Sequence, residues 1–356
     1  MGKDLKILKL TFDEFKNRLY EKYGKGKYHA AAAYREIFLN GKINFENINE
    51  FSNSPYLAQE LKKNIELNLW PISDQITEHG VTKIITKLEN NLQIESVVIP
   101  MFNHKTLCVS SQVGCKMGCS FCETAKLGFI RNLSTEEIVG QVYTAKTIMG
   151  HDIRNIVFMG MGEPFDNFDN VIQAIRVIED QRGLNIAKRR ITISTAGKVD
   201  GILKLAKLNW KRINIAVSLN ASNEVTRSRL MPINRKTSMQ NLRRALMAYP
   251  LSKKNVFFIE YVLIKGVNDS PEHAKELAQF LKPLRTRVNL ISYNPGSDSA
   301  FEAPDAQGLE NFRCRLVASN LFVRVRSAKG QNLMAACGQL GNSTPGQKIS
   351  LHAGCC

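Results

Sequence analysis

The sequence predicts an α/β protein: a partial, open parallel β/α barrel of about six units, with a small helical N-terminal domain and a connecting β-hairpin. Three observations lead there. Strand-like runs alternate with helical ones from about residue 105, the chain before residue 75 reads as helical, and two short strands separated by a polar turn lie between. Such alternation sets parallel strands side by side with helices packed outside. Six or so units are too few to close an eight-stranded barrel, which leaves an open barrel or, with the same alternation, an open doubly wound sheet. The expected division is 1–80 helical, 81–103 hairpin, 104–341 barrel with the loop beyond its last strand, and 342–356 a C-terminal tail.

In the N-terminal part Leu5, Leu8, Leu10, Phe12, Phe15 and Leu19 recur at spacings that suit short amphipathic segments. Residues 30–39 read as a stronger helix, and 56–69, opening after Pro55, as a third. Residues 82–88 and 94–100 flank the polar turn Glu89-Asn90-Asn91, a hairpin signal. The barrel strands are 106–111, 155–159, 190–195, 213–219, 256–264, 288–293 and 321–326. The helices between them are 135–149, 170–179, 200–208, 239–248, 271–281 and 305–318. Chemically suggestive groups fall at or just past the strand ends. Cys115 follows the first strand, Gly160-Met161-Gly162-Glu163 the second, and Ser194 closes the third; Ser218 and Asn220 end the fourth, and Asn294 the sixth. That edge is the catalytic face of a parallel β/α barrel.

The chain of 356 residues carries a formal net charge of +17, unevenly placed. Residues 1–75 hold 12 Lys/Arg against 10 Asp/Glu, so the surplus belongs to the barrel. There the bases gather in Lys188-Arg189-Arg190, in Arg227, Arg229, Arg235 and Lys236, and in Arg243-Arg244. A surplus of this kind attracts polyanions, nucleic acid above all. No run of 18 apolar residues occurs, the opening segment lacks an apolar signal core, and Lys6 stands where a myristoylation motif needs Ser or Thr. The expected location is the cytoplasm, with no membrane contact.

Eight cysteines stand at 108, 115, 119, 122, 314, 337, 355 and 356, four of them within fifteen residues. Crowding of this kind in a reducing compartment reads as metal-binding or catalytic rather than as a disulfide framework. Cys115, Cys119 and Cys122 form a C-x3-C-x2-C loop. Three thiolates can bind three irons of a [4Fe–4S] cube and leave one iron open. An open iron can chelate the amino and carboxylate groups of S-adenosylmethionine and pass an electron to its sulfonium. A closed zinc site needs four ligands, and no second C-x2-C or C-x-H partner occurs. Beside this loop, Gly162 allows close backbone approach to a ligand, and the Glu163 carboxylate can accept bonds from an ammonium group. Cys314 falls in a helical stretch and reads as packing, and Cys355 and Cys356 carry no assigned role. Cys337, beyond the last strand, reads as part of a flexible loop.

The C-x3-C-x2-C loop resembles that of the radical S-adenosylmethionine superfamily. Further segments narrow the resemblance: Leu107 to Cys115, Gly128-Phe129-Ile130-Arg131-Asn132-Leu133, Met159-Gly160-Met161-Gly162-Glu163-Pro164, Arg229-Leu230-Met231-Pro232-Ile233-Asn234 and Ala336-Cys337-Gly338-Gln339-Leu340. Together they are similar to the RlmN/Cfr type of adenine methyltransferase, specifically the dual-specificity 23S rRNA and tRNA adenine-C2 group. The similarity runs from about residue 10 to about 341.

The resemblance implies a [4Fe–4S] cluster on Cys115, Cys119 and Cys122, and S-adenosylmethionine bound by Gly162, Glu163, Ser194, Ser218, Leu219, Asn220 and Asn294. Relatives usually carry His at the position of Asn220. Asn can hydrogen-bond a ribose hydroxyl but takes up no proton near neutral pH, so only a binding role carries over. Adenine C2 is electron-poor and resists an electrophilic methyl. The resemblance implies instead that Cys337 carries the methyl, loses a hydrogen to a 5′-deoxyadenosyl radical, and adds to the ring. Cys108 then resolves the adduct through a transient Cys108–Cys337 disulfide, Glu95 removes a proton, and two S-adenosylmethionine are consumed per methylation. From sequence alone Glu95 reads as a solvated strand residue. The implied partners are 23S rRNA at the peptidyl-transferase centre, tRNA at the adenine 3′ of the anticodon, and an electron donor such as flavodoxin or ferredoxin; the implied state is a monomer. Methylation at C8 of the same adenine is the sister activity. A redox-sensing RNA-binding module is the non-enzymatic alternative, and it would make no 5′-deoxyadenosine. The N-terminal domain is expected to read RNA shape, so removing residues 1–75 would abolish RNA methylation and spare S-adenosylmethionine cleavage.

Overall fold

The fold is that of a computed structural model, which describes residues 5–296, 299–326, 330 and 333–341. The expected tail, with Cys355 and Cys356, lies outside the described residues. Strand β1 (Leu5–Lys6) leads to helices α1 (Phe12–Tyr23), α2 (Lys27–Asn40) and α3 (Pro55–Asn64), and β2 (Ile65–Glu66) returns to pair with β1. Helix α1 begins at Thr11 in a capping box with Glu14 and ends at Gly24, whose φ of 64° is open to glycine. Helix α3 stops short of the expected residue 69 because Ile65 turns extended, buries its side chain and pairs with Leu5.

The expected hairpin is present as β4 (Val81–Lys87) and β5 (Gln93–Pro100), but a further strand, β3 (Ile72–Glu78), pairs antiparallel with β4. The connector is therefore a three-stranded meander, and the helical segment ends before residue 72 rather than at 80. Strand β3 lies at a sheet edge with mostly exposed, polar side chains, so it lacks the apolar alternation that marks a half-buried strand.

The main body follows as β6 (Lys105–Cys108), β7 (Gln112–Gly114), α4 (Glu123–Lys126), β8 (Phe129–Asn132), α5 (Thr135–Tyr143), β9 (Ile153–Phe158), α6 (Phe168–Glu179), β10 (Ile191–Thr195), α7 (Val199–Lys207) and β11 (Asn214–Ser218). Then come α8 (Glu224–Leu230), α9 (Met239–Ala248), β12 (Phe257–Leu263), α10 (Pro271–Leu281), β13 (Thr286–Ser292), α11 (Ala306–Ala318) and β14 (Val323–Arg326). Seven strands, β6 and β9 to β14, are parallel and stand in sequence order. A doubly wound sheet reverses its strand order at a switch point. Here each crossover adds the next strand on the same side, so the wall curves as a partial barrel. Strand β5 pairs antiparallel with β6, which lengthens the wall to ten strands through the meander.

The expected strand 106–111 is split. Ser110 donates its hydroxyl to the Glu95 carbonyl at 2.6 Å and accepts from Met161 N at 2.9 Å, which carries the chain out of the sheet. Strand β7 then pairs with β8 in a separate two-stranded sheet. The expected helix 135–149 is α5 followed by a wider turn over Thr144–Ile148.

One continuous apolar core runs from Leu8, Phe15, Tyr34 and Phe38 in the N-terminal helices into Tyr143, Ile175 and Ile193 of the barrel. Tyr143 donates its hydroxyl to the Ile37 carbonyl and Thr147 donates to the Phe38 carbonyl, each at 2.8 Å. Phe12 N donates to Asp180 at 2.7 Å. The N-terminal helices are thus not a detachable reader, which corrects the expectation that residues 1–75 can be removed without loss of the barrel. Among the described residues no helix is long and apolar enough to cross a membrane.

A chain lacking residues 1–75 is expected to show no cooperative thermal transition by circular dichroism; a cooperative transition would contradict the shared core. Tyr143→Phe removes one buried donor while leaving the Ile37 carbonyl its helix-end bond to Gly41 N. It is expected to cost about 1 kcal/mol in denaturant unfolding.

Candidate active site

The C-terminal ends of the parallel strands surround a cavity of about 160 Å³ that opens to solvent. Ser194, Ser218, Glu260 and Ile291, from four successive strands, form its wall, and Cys115, Cys119 and Cys122 close one flank. The cysteine loop leaves β7 through Gly114, whose φ is +72°. A Cβ there would stand 1.9 Å from the Gly128 carbonyl, which accepts from Cys115 N at 2.7 Å. Only glycine permits that closure. Ser120 N donates to the Leu230 carbonyl at 3.0 Å, and Cys122 N to the Cys119 carbonyl at 3.2 Å. Met117, Leu230, Met231 and Ile233 pack around Cys115, Cys119 and Phe121 as a small apolar cluster separate from the main core.

Burial pushes the Cys115 thiol up to about 12 and raises Cys119 and Cys122 as well. Thiols in such surroundings become thiolates when a metal centre supplies positive charge. Arg227 adds charge of the right sign beside Cys119. Among the described residues no three His, Cys, Asp or Glu groups converge as a single-ion site. The three thiols instead stand around one hollow, as a cube with separate irons at its corners requires. The donor set fits a [4Fe–4S] cluster.

Glu163 faces the three thiols' cavity and is buried. Gly162, with φ +98°, lets Gln112 pack where a Cβ would sit, and Gln112 accepts from Glu163 N at 2.8 Å. The carboxylate accepts from Ala196 N at 2.7 Å and Phe165 N at 3.1 Å. Burial nevertheless pushes its pKa up to about 7. A buried carboxyl of this kind is primed for a cationic ligand group such as an ammonium.

Asn220 lines the cavity with φ 56°, a left-handed backbone that Asn tolerates well. Its Oδ1 accepts from Val262 N at 2.9 Å, and its Nδ2 contacts the Met231 sulfur at 3.4 Å. Leu219 and Asn294 are not on the lining. Leu219 is bonded through its backbone to Glu260 and Arg227, and Asn294 donates to the Cys337 carbonyl at 3.4 Å.

Cys337 faces the cavity and is solvent-accessible, yet protein surrounds it closely enough that burial pushes its thiol up to about 11. The turn around it is laced down rather than flexible. Glu123 N donates to the Gly338 carbonyl at 2.8 Å, Thr124 to the Leu340 carbonyl at 2.6 Å, and Gln339 to the Pro295 carbonyl at 3.1 Å. Cys108, at the end of β6, is buried behind it. Burial, with repulsion from Cys337, pushes the Cys108 thiol up to about 12. The two thiols are therefore electrostatic neighbours despite their separation in sequence.

Glu95 is buried, which corrects its reading as a solvated residue. It is not on the cavity lining; it pairs with Lys83 at 3.1 Å and accepts from Gly341 N at 3.0 Å. Cys314 is exposed, with its sulfur 3.3 Å from Glu310, so it does not pack in the core as expected.

Two further corrections concern the basic clusters. Arg227 is 1% exposed and donates to the carbonyls of Leu219, Ala196 and Ser218 and to Asn234, so it binds strand ends rather than a polyanion. Lys188–Arg190 immediately precede β10 and so lie at the strands' N-terminal ends, away from the cavity. Arg229, Arg235 and Lys236 are exposed and follow β11 on the cavity side. Glu260, Lys83 and Arg227 are site residues that the sequence reading missed. Glu260 had a signal, since it is a charge set inside an otherwise apolar strand.

Residues 109–281 match the radical SAM superfamily. The chain is 44% identical over 338 residues to a probable dual-specificity RNA methyltransferase RlmN 1 of Protochlamydia amoebophila, spanning 95% of this chain and 94% of that protein. It is 38% identical to the dual-specificity RNA methyltransferase RlmN of Geobacter sulfurreducens, over 93% and 90% of the two chains. The crystal structure of a radical SAM methyltransferase from Sphaerobacter thermophilus superposes with a TM-score of 0.86 at 34% identity, covering 95% of this chain and 99% of that one. A partial barrel with three cysteines at its open end is the frame of a radical SAM enzyme, whose cofactors are a [4Fe–4S] cluster and S-adenosylmethionine. Within that superfamily the chain belongs to the RlmN family of dual-specificity RNA methyltransferases.

Glu163→Gln keeps the size of the side chain but removes its charge. It is expected to weaken S-adenosylmethionine binding by about 1.5–3 kcal/mol, roughly ten- to a hundredfold. An ammonium ligand favours the carboxylate, so wild-type affinity should rise as pH is raised through about 7, and that slope should vanish in the variant. Anaerobic titration calorimetry between about pH 6 and 8 measures both effects. Since the folded value of Glu163 lies above its ordinary 4.5, its contribution to folding is present below about 4.5 and is lost as pH rises through about 7.

Proposed function

We propose that the protein methylates C2 of an adenine in 23S rRNA at the peptidyl-transferase centre, and the adenine 3′ of a tRNA anticodon, with Cys337 as methyl carrier. The observation that carries this reading is that Cys337 lines the same cavity as the three-cysteine loop, with the buried Cys108 as its electrostatic neighbour. A radical generator alone needs only the loop; a further thiol on the cavity, with a second one beside it, supports group transfer through sulfur.

When bound, the cluster and S-adenosylmethionine supply a methyl group and a 5′-deoxyadenosyl radical. Cys115, Cys119 and Cys122 hold the cluster. Gly162 and Glu163 receive the methionine ammonium, while Ser194, Ser218 and Asn220 face the rest of the ligand, and Leu219 and Asn294 support it from behind. Cys337, as its thiol proton leaves, forms a bond to the methyl carbon while that carbon's bond to the sulfonium of S-adenosylmethionine breaks, leaving S-adenosylhomocysteine. The Asn294 bond to the Cys337 carbonyl, the Glu123 bond to Gly338 and the Gln339 bonds to Ala336 and Pro295 hold the Cys337 sulfur at the cavity. Cys108 frees the product by pairing with Cys337 in a transient disulfide as the adduct gives up a proton to solvent at the cavity. A one-electron donor such as flavodoxin or ferredoxin reduces the cluster.

Exposed Lys116, Arg229, Arg235 and Lys236 give the cavity side positive charge for an RNA backbone. An adenine must leave its stack to enter the cavity, at a cost offset by contacts there. Binding should weaken steeply with salt.

Anaerobically reconstituted protein, incubated with rRNA and methyl-labelled S-adenosylmethionine, is expected to place label on both Cys337 and adenine. Cys337→Ala is expected to bring RNA methylation to background, and RNA methylation persisting in that variant would refute the carrier role. Nuclease digestion and mass spectrometry should yield 2-methyladenosine; 8-methyladenosine would overturn the C2 reading.

A further inference from the structure

Lys83 and Glu95 sit on neighbouring strands of the meander. Ile85 stands opposite Glu95, and Lys83, two residues earlier on β4, shares the same sheet face. The Lys83 Nζ lies 3.1 Å from Glu95 Oε2, and the two side chains are 1% and 3% exposed. Each charged group also reaches the turn that carries Cys337. Nζ donates to the Met334 carbonyl at 3.2 Å, and Oε2 accepts from Gly341 N at 3.0 Å. Met334 and Gly341 bracket Cys337, three residues before it and four after.

Burying two charges is costly, and an apolar pair of similar size commonly packs as well or better. A buried ion pair is thus a weak device for stability. It is a strong device for position when each partner sends a further hydrogen bond to the same element. Here the two charges reach the two ends of one turn.

We propose that Lys83 is a positioning residue: paired with Glu95, it clasps both ends of the Cys337 turn and holds the thiol at the cavity while it accepts a methyl. This rests on the reading of Cys337 as methyl carrier. The clasp works from outside the cavity, since neither side chain is on its lining. It acts on a step that precedes RNA, so its effect is separable from RNA binding.

The test compares the full-length chain with Lys83→Met and Lys83→Arg. In Lys83→Met, hydrogen exchange of the peptide spanning 333–341 should quicken at least tenfold, in protein given no S-adenosylmethionine. Methyl label reaching Cys337 without RNA should fall at least tenfold, at unchanged iron and sulfide content per chain. Lys83→Arg, which keeps the charge and the donors, should recover most of that label. Should Lys83→Met fail to fold, the double variant Lys83→Met with Glu95→Gln leaves no unpaired charge and is read in the same way. Methylation of Cys337 at the wild-type rate in the Met variant overturns the proposal, as does an Arg variant no better than Met. Absence of methyl from Cys337 in the unsubstituted chain overturns the carrier reading itself.

Discussion

The backbone hydrogen bond from Glu123 N to the Gly338 carbonyl joins the three-cysteine loop to the turn that carries Cys337. Glu123 follows the last cluster cysteine directly, and Gly338 follows Cys337 directly, so the bond fixes one sulfur relative to the others with almost no intervening chain. Thr124 adds a second bond to Leu340, and Gly296 leaves room for the Glu123 side chain between them. The barrel supplies the floor of the site; this join supplies its geometry. Effective concentration of reacting groups comes from such fixed placement rather than from any one strong contact.

The surroundings are dry, and that dryness governs the charges. Glu163, Glu260 and Glu95 are all buried carboxyls raised by desolvation, and each has a specific partner: backbone amides for Glu163, Asn289 for Glu260, and Lys83 with Gly341 N for Glu95. Arg227, lowered to about 10 by burial, spends its donors on strand-end carbonyls and keeps its charge beside Cys119. A cluster held by thiolates is an anion-rich object, and a buried guanidinium nearby offsets part of that charge.

Much of the barrel was legible because central parallel strands are apolar on both faces and their helices carry one apolar stripe. Helices α9 and α10 coincide with their expected bounds, and all seven expected barrel strands overlap observed ones. What escaped was what local pattern does not encode. Strand β3 is polar because it lies at an edge. The Ser110 bonds that split the first strand connect it to Glu95 and Met161 far along the chain. Arg227 counts as one more positive charge in a sequence, and only packing reveals that its charge never meets solvent. The cluster loop was readable from spacing alone. The adjacency of Cys108 and Cys337 was not, because it arises from a strand end and a terminal turn brought together by the whole barrel; resemblance alone had implied it.

The laced turn has a consequence for how the chain matures. The cysteine loop is made early in synthesis, whereas the segment that covers it is the last part of the barrel to leave the ribosome. Contacts this distant in sequence form late, after local units have closed. The three-cysteine loop and the turn that faces it therefore meet only when nearly the whole barrel has been made, so the site is completed by the last-made strand end and not by the loop that holds its thiols.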